Sequence, residues 1–257
     1  MLIPLFLLSR EERSLKVWTL ALAGSLAITT TNFSAGIAAA LFSKQRQKIF
    51  KISFFALLLI LVLSFLQKSY LPSANYFFDR SVAGERHFVP TSTDPRGSLP
   101  GRALDFAVYT GVVPDKLIRM IRPTNGIPGM FLPYSLKIFT GLSSIPVLCW
   151  IALISIGSIE LFRNFELNFA KALFSFILIQ FALHMFYGDQ PFLYSAHFLP
   201  GFILLISLGF RPRAAPRAQL ALSRACLVTF IFTGFPLNLN SFINAAHVAA
   251  SFSGNSQ

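Results

Sequence analysis

The sequence predicts an all-α fold: a polytopic transmembrane helical bundle of about six spans, with a roughly 70-residue extracytoplasmic segment between spans 2 and 3. Three observations predict it. Of 257 residues, 54% are hydrophobic and 14% aromatic, while only 12% are charged, about half the share in an ordinary soluble domain. Mean hydropathy is +0.62, so polar surface is too scarce to cover a globule in water, and the same composition excludes disorder. The apolar residues also gather into stretches near the roughly 20 residues that a helix needs to cross a hydrocarbon core of about 30 Å.

Taken in order, the first stretch runs from Val17 to Phe42, the second from Ile49 to Leu66 and the third from Phe139 to Phe162. The fourth, Phe169 to Tyr187, is slightly short; the fifth covers Phe192 to Phe210 and the sixth Ala218 to Leu239. Lys51 and Lys171 intrude at the starts of the second and fourth, and Arg224 can snorkel from the first turns of the sixth. The chain thus divides into 1–67 (an outer N-terminal segment and two helices), 68–137 (the extracytoplasmic segment), 138–240 (four helices) and 241–257 (a small, polar tail expected to be partly disordered).

Charge sets the orientation. The formal net charge is +12, which on an apolar chain fits basic loops beside anionic lipid better than nucleic acid, because the cations lie on both sides of the bilayer. Lys44, Arg46, Lys48 and Lys51 follow the first stretch, Arg163 and Lys171 the third, and Arg211, Arg213 and Arg217 the fifth. These alternate loops belong on the cytoplasmic side. The short opposite loop, Gly188-Asp189-Gln190-Pro191, has no Lys or Arg, and both termini are expected outside. The outer N-terminal segment dissents, carrying Arg10, Arg13 and Lys16 beside Glu11 and Glu12.

Met1 opens directly into Leu2-Ile3-Pro4-Leu5-Phe6-Leu7-Leu8, with no basic region ahead of it. It reads like the tail of an earlier membrane segment, making the chain the C-terminal part of a longer protein, or else like a short interfacial anchor. Cys149 and Cys226 both lie inside apolar runs and read as small buried hydrophobes, not as a disulfide framework.

The extracytoplasmic segment begins with turns punctuated by Pro and Gly, then becomes helix-like from Arg102 to Tyr109 and again from Lys116 to Arg122. In the second piece basic residues recur every three positions among Leu, Ile and Met, the pattern of a short helix in the headgroup layer. Pro123 to Gly129 reads as a rigid turn. Arg80, Arg86, Lys116 and Arg119 are candidates to hold a phosphate-bearing lipid; nonspecific contact with membrane lipids is the plainer reading.

Polar residues inside spans face bundle interiors. Ser25, Thr29, Asn32 and Gly36 share one face of the first stretch, where close helix packing is the simplest account. Gln180, His184 and Tyr187 share a face of the fourth, and Tyr194, His197 and Gly201 a face of the fifth. A very short loop joins those two stretches, so His184, Tyr187, Asp189, Tyr194 and His197 should gather at the outer membrane surface. Two His and an Asp could supply three metal ligands, but their spacing matches no compact metal motif. Acid–base work by a His, or hydrogen bonding to a sugar or phosphate, fits better. Glu160 and Glu166 are expected to pair with Arg163 or Lys171.

The run from His184 to Pro200, His-Met-Phe-Tyr-Gly-Asp-Gln-Pro-Phe-Leu-Tyr-Ser-Ala-His-Phe-Leu-Pro, resembles the late transmembrane region of bacterial membrane proteins related to the C-type (GT-C) glycosyltransferases. Thr31-Asn32-Phe33, the basic inner loop and the large outer segment fit the same layout. The resemblance implies the C-terminal membrane region of an inner-membrane enzyme that moves a sugar from a polyprenyl-phosphate donor to an acceptor on the outer face. No cofactor is expected from the residues; a divalent cation such as Mg is implied by the resemblance alone. Such enzymes take their base from an acidic residue in the first outer loop. Here only Glu11 and Glu12 stand in the outer N-terminal segment, in a different context, and half the expected spans are missing. No residue is therefore assigned as catalytic, and the missing helices would come from a longer chain or a partner subunit. A non-enzymatic transporter, a lipid-handling protein and a structural membrane subunit are the competing readings.

Overall fold

The structure, a computed structural model, describes residues 2–28, 30–71, 103, 106–108, 111–112, 119–121, 129–131, 141–186, 195–211 and 216–254. Its elements are the helices α1 (Leu2–Ser9), α2 (Leu15–Ile28), α3 (Thr30–Leu41), α4 (Ile49–Tyr70), α5 (Ser144–Arg163), α6 (Asn168–Phe186), α7 (Ser195–Leu208) and α8 (Arg217–Gly254), together with the short strands β1 (Arg119–Ile121) and β2 (Gly129–Phe131). Short 3-10 turns precede α4 (Arg46–Lys48) and α5 (Gly141–Ser143). The chain forms two compact units, one of Met1–Val89, Leu161–Tyr187 and Pro200–Leu204, the other of Pro90–Glu160, Gly188–Leu199 and Leu205–Gln257.

In the first unit the stretch from Val17 to Phe42, expected to be one span, is two helices folded back on each other. A straight helix would hold residues 22 and 36 about 21 Å apart, yet a methyl at Gly36 would come within 3.2 Å of the Leu22 side chain and 3.6 Å of Pro4. At the open end Gln45 Nε2 donates to the carbonyl of Arg13 at 2.5 Å, and Lys44 pairs with Glu11. These pairings make α2 and α3 an antiparallel hairpin centred near residue 29. Between the arms the sequence reads Thr29-Thr30-Thr31-Asn32, β-branched and polar residues that are poor helix formers. Ser14 caps α2, its Oγ accepting from Val17 N at 3.4 Å, and the wholly buried Trp18 donates Nε1 to the carbonyl of Glu12 at 3.0 Å.

Around the hairpin, α2 packs on α4 and α3 packs on α6. In α4 only Ile52, Ala56, Ile60 and Ser64 are buried. That is one stripe at a spacing of four, while Phe50, Phe54, Leu57, Leu61 and Phe65 stand exposed. A helix that is apolar all round with one face covered suits lipid as its solvent. In the same unit α7 crosses α6 closely: a methyl at Gly201 would meet the Phe176 ring at 2.4 Å.

The second unit is built on α5, α8 and both ends of α7. Gly157 of α5 allows close backbone approach, since a methyl there would lie 2.4 Å from the carbonyl oxygen of Leu205. Residues 103 and 106–108 are helical, as expected for Arg102 to Tyr109. Phe106 stacks on Phe198 with ring centroids 4.2 Å apart. Trp150 donates Nε1 to the carbonyl of Ala107 at 2.7 Å and stacks on Phe230, and Asn238 Nδ2 donates to the carbonyl of Gly111 at 2.8 Å. Residues 107 and 111 are therefore docked onto α5 and α8.

Among the described residues four helices are long and apolar enough to cross a membrane: Arg46–Tyr70, Ser144–Arg163, Asn168–Met185 and Arg217–Asn244. They correspond to the second, third, fourth and sixth expected stretches. The fifth is a 14-residue helix containing Pro200. Two expectations are corrected. Arg119–Ile121, within the stretch expected to be helical, is instead a strand that pairs antiparallel with Gly129–Phe131, Met120 opposite Met130; local alternation of basic and aliphatic residues suits either period. The tail does not lose structure at Ser241, because α8 continues to Gly254 through Ala- and Phe-containing sequence that has no breaker.

Candidate functional site

Chemistry-bearing side chains gather at two places in the first unit. At one end of α6, Gln180 and His184 share a face and are buried, at 0% and 3% exposure. His184 Nδ1 lies 2.7 Å from the Gln180 carbonyl oxygen. A carbonyl only accepts, so Nδ1 carries a proton at this contact. Asn32 is also buried on α3, the helix that packs on α6, and Ser25 Oγ donates to the carbonyl of Ala21 at 2.8 Å. Ser25, Asn32 and Gly36 thus belong to two arms of a hairpin and not to one helical face, and Gly36 serves close packing.

Of the nearby sequence candidates, Tyr187, Asp189 and Tyr194 lie outside the described residues, as do Arg80, Arg86 and Lys116. His197 stands in α7 and Arg119 in β1, with their side chains outside the described set. The expected gathering of His184 with Tyr187, Asp189, Tyr194 and His197 is therefore described only at His184. Among the described residues no group of three or more His, Cys, Asp or Glu could hold a metal.

The second place escaped sequence reasoning. At the open end of the hairpin, Ser43, Lys44, Arg46 and Gln47 join Asn168 and Lys171 of the first turn of α6 around a cavity of about 530 Å³. Lys44 also pairs with Glu11, and that lysine, by hydrogen bond and charge, holds the Glu11 carboxyl below its ordinary range. Arg46 and Lys171 have no ion pair among the described residues. In sequence these cations count as loop charges that set orientation, and Lys171 as an intrusion into a span. Nothing local to either segment says that the two meet.

In the second unit Glu160 is wholly buried near the end of α5 and accepts from Gln219 Nε2 of α8 at 2.9 Å. This amide is one partner of the buried carboxylate, and Glu166 is exposed. Cys149 and Cys226 are free and half-buried. No protein-family model matches the chain, and neither a curated protein nor a solved structure matches it.

Proposed function

We propose that the chain is a multi-pass protein of the inner membrane that handles a lipid-phosphate-linked sugar at its outer face, in a glycosyltransferase-like reaction. The observation that carries this reading is His184. A buried imidazole whose Nδ1–H is held on the Gln180 carbonyl, near one end of a bilayer-length helix, is a side chain of the type that moves protons or hydrogen-bonds a sugar hydroxyl or phosphate. Tyr187, Asp189, Tyr194 and His197, with Arg80, Arg86, Lys116 and Arg119, complete the proposed contact set. In membranes supplied with a polyprenyl-phosphate sugar, His184→Ala and His197→Ala should each lower transfer by about a hundredfold or more while insertion is unchanged. Wild-type transfer in both variants removes this assignment and favours a non-enzymatic lipid-handling protein.

The hairpin supports a revised topology of five crossings. Its arms fold back on each other, with Lys44 paired to Glu11 and Gln45 to the Arg13 carbonyl at the open end, so α2 and α3 enter and leave on one side. The segment from Arg10 to Lys16 then lies with Lys44, Arg46, Lys48 and Lys51 on the cytoplasmic side, and the dissenting charges obey the positive-inside rule. α4 leads outward, α5 returns, α6 and α7 go out and back, and α8 ends outside.

A further inference from the structure

We propose that the cavity at the open end of the α2–α3 hairpin binds a phosphate monoester, carried either by a lipid headgroup or by a soluble compound. It lies at the opposite end of α6 from His184 and has no part in the sugar-transfer reading. Its volume of about 530 Å³ falls in the range of small-ligand sites, about 300–1,000 Å³. Lys44, Arg46 and Lys171 supply three positive charges and Glu11 withdraws one through Lys44, leaving two. A phosphate monoester carries about −1.5 to −2 at neutral pH, whereas a diester carries one.

The cations arrive from separate elements. Arg46 comes from the 3-10 turn and Lys171 from the first turn of the 19-residue α6, so folding, and not a run of sequence, assembles the site. Arg46 can present a two-pronged donor face to phosphate oxygens and Lys171 a point charge. Asn168, which also lines the cavity, opens α6, where backbone N–H groups lack intrahelical acceptors and the helix dipole favours an anion. Two bilayer-length segments start here, at Arg46 and at Asn168, which sets the cavity at the depth of lipid headgroups.

The full chain in nanodiscs tests the proposal, with binding read by native mass spectrometry and by the shift in thermal midpoint. Nanodiscs of phosphatidylcholine containing phosphatidic acid (a monoester) are compared with others containing phosphatidylglycerol (a diester), and glycerol 3-phosphate is titrated separately. Phosphatidic acid or glycerol 3-phosphate should bind, and Arg46→Gln with Lys171→Gln should weaken that binding by about tenfold or more. Phosphatidic acid alone assigns a lipid ligand, glycerol 3-phosphate alone a soluble one, and both together show that the phosphate itself is recognised. Equal retention of phosphatidic acid and phosphatidylglycerol without glycerol 3-phosphate binding overturns the proposal, as does monoester binding unchanged in the double variant. Should that variant fail to fold, the monoester–diester comparison on the unaltered chain decides, with Lys171→Arg expected to keep binding. Sugar transfer is scored independently at His184, so either reading can fail alone.

Discussion

At Gly157 alanine would place a methyl 2.4 Å from the Leu205 carbonyl oxygen, and at Gly111 one 2.3 Å from the Trp150 indole. Backbone must move in the first case and a buried aromatic in the second, so each substitution should destabilise by about 1–3 kcal/mol. Gly24, with nothing within 4 Å of the same position, should gain up to about 0.5–1 kcal/mol as alanine. Thermal unfolding in detergent separates the three. Glu11 gives a signed pH prediction. Its carboxyl is lowered from an ordinary value near 4.5, so its stabilising part is present above that value and fades as pH falls through the depressed one. The pair is exposed and its contribution small, so Glu11→Gln should leave the thermal midpoint at pH 7 almost unchanged while flattening its acid-side decline. By releasing Lys44 the same substitution should tighten monoester binding at the cavity.

Among the elements, the α2–α3 hairpin makes the most direct prediction. In a chain lacking Cys149 and Cys226, single-cysteine probes at Glu12 and Lys48 should react with an impermeant maleimide from the same side, the cytoplasm. Reaction from opposite sides would restore a crossing through Val17 to Phe42. This element also shows where reading the sequence succeeds and stops. Long, uniformly apolar segments such as Ile49 to Leu66 announce themselves because hydropathy is summed over many residues, and α4, α5 and α6 lie close to their expected bounds. The hairpin is invisible to the same sum, because two short apolar arms add up like one long rod. Only the Thr29-Thr30-Thr31-Asn32 run marks the fold-back, and its effect depends on Leu22 meeting Gly36. At the site, the i, i+4 spacing of Gln180 and His184 was legible as a shared face. The meeting of Arg46 with Lys171 was not, since it is a tertiary event between segments more than a hundred residues apart.

For the whole molecule, exposed Phe and Leu on α4 and α8 beside a thin supply of charge make lipid the solvent. Alkaline carbonate should therefore leave the chain in the membrane pellet. The proposed five crossings would put every Lys and Arg of the short connections on one side, with none in Gly188 to Pro191. A reporter enzyme active only outside the cytoplasm should work when fused at Asp79 and fail when fused at Lys48; the reverse result would invert the topology.

One consequence concerns biogenesis. The first arm of the hairpin finds its neighbour in α4 soon after synthesis, but the second must wait for α6, which the ribosome reaches only after α5 has been made. Until then α3 has only α1, α2 and α4 as neighbours, and the side that α6 will cover is open. A nascent polypeptide arrested ahead of Asn168 should therefore hold α3 loosely, open to protease or to membrane chaperones, and release of the arrest should seal it.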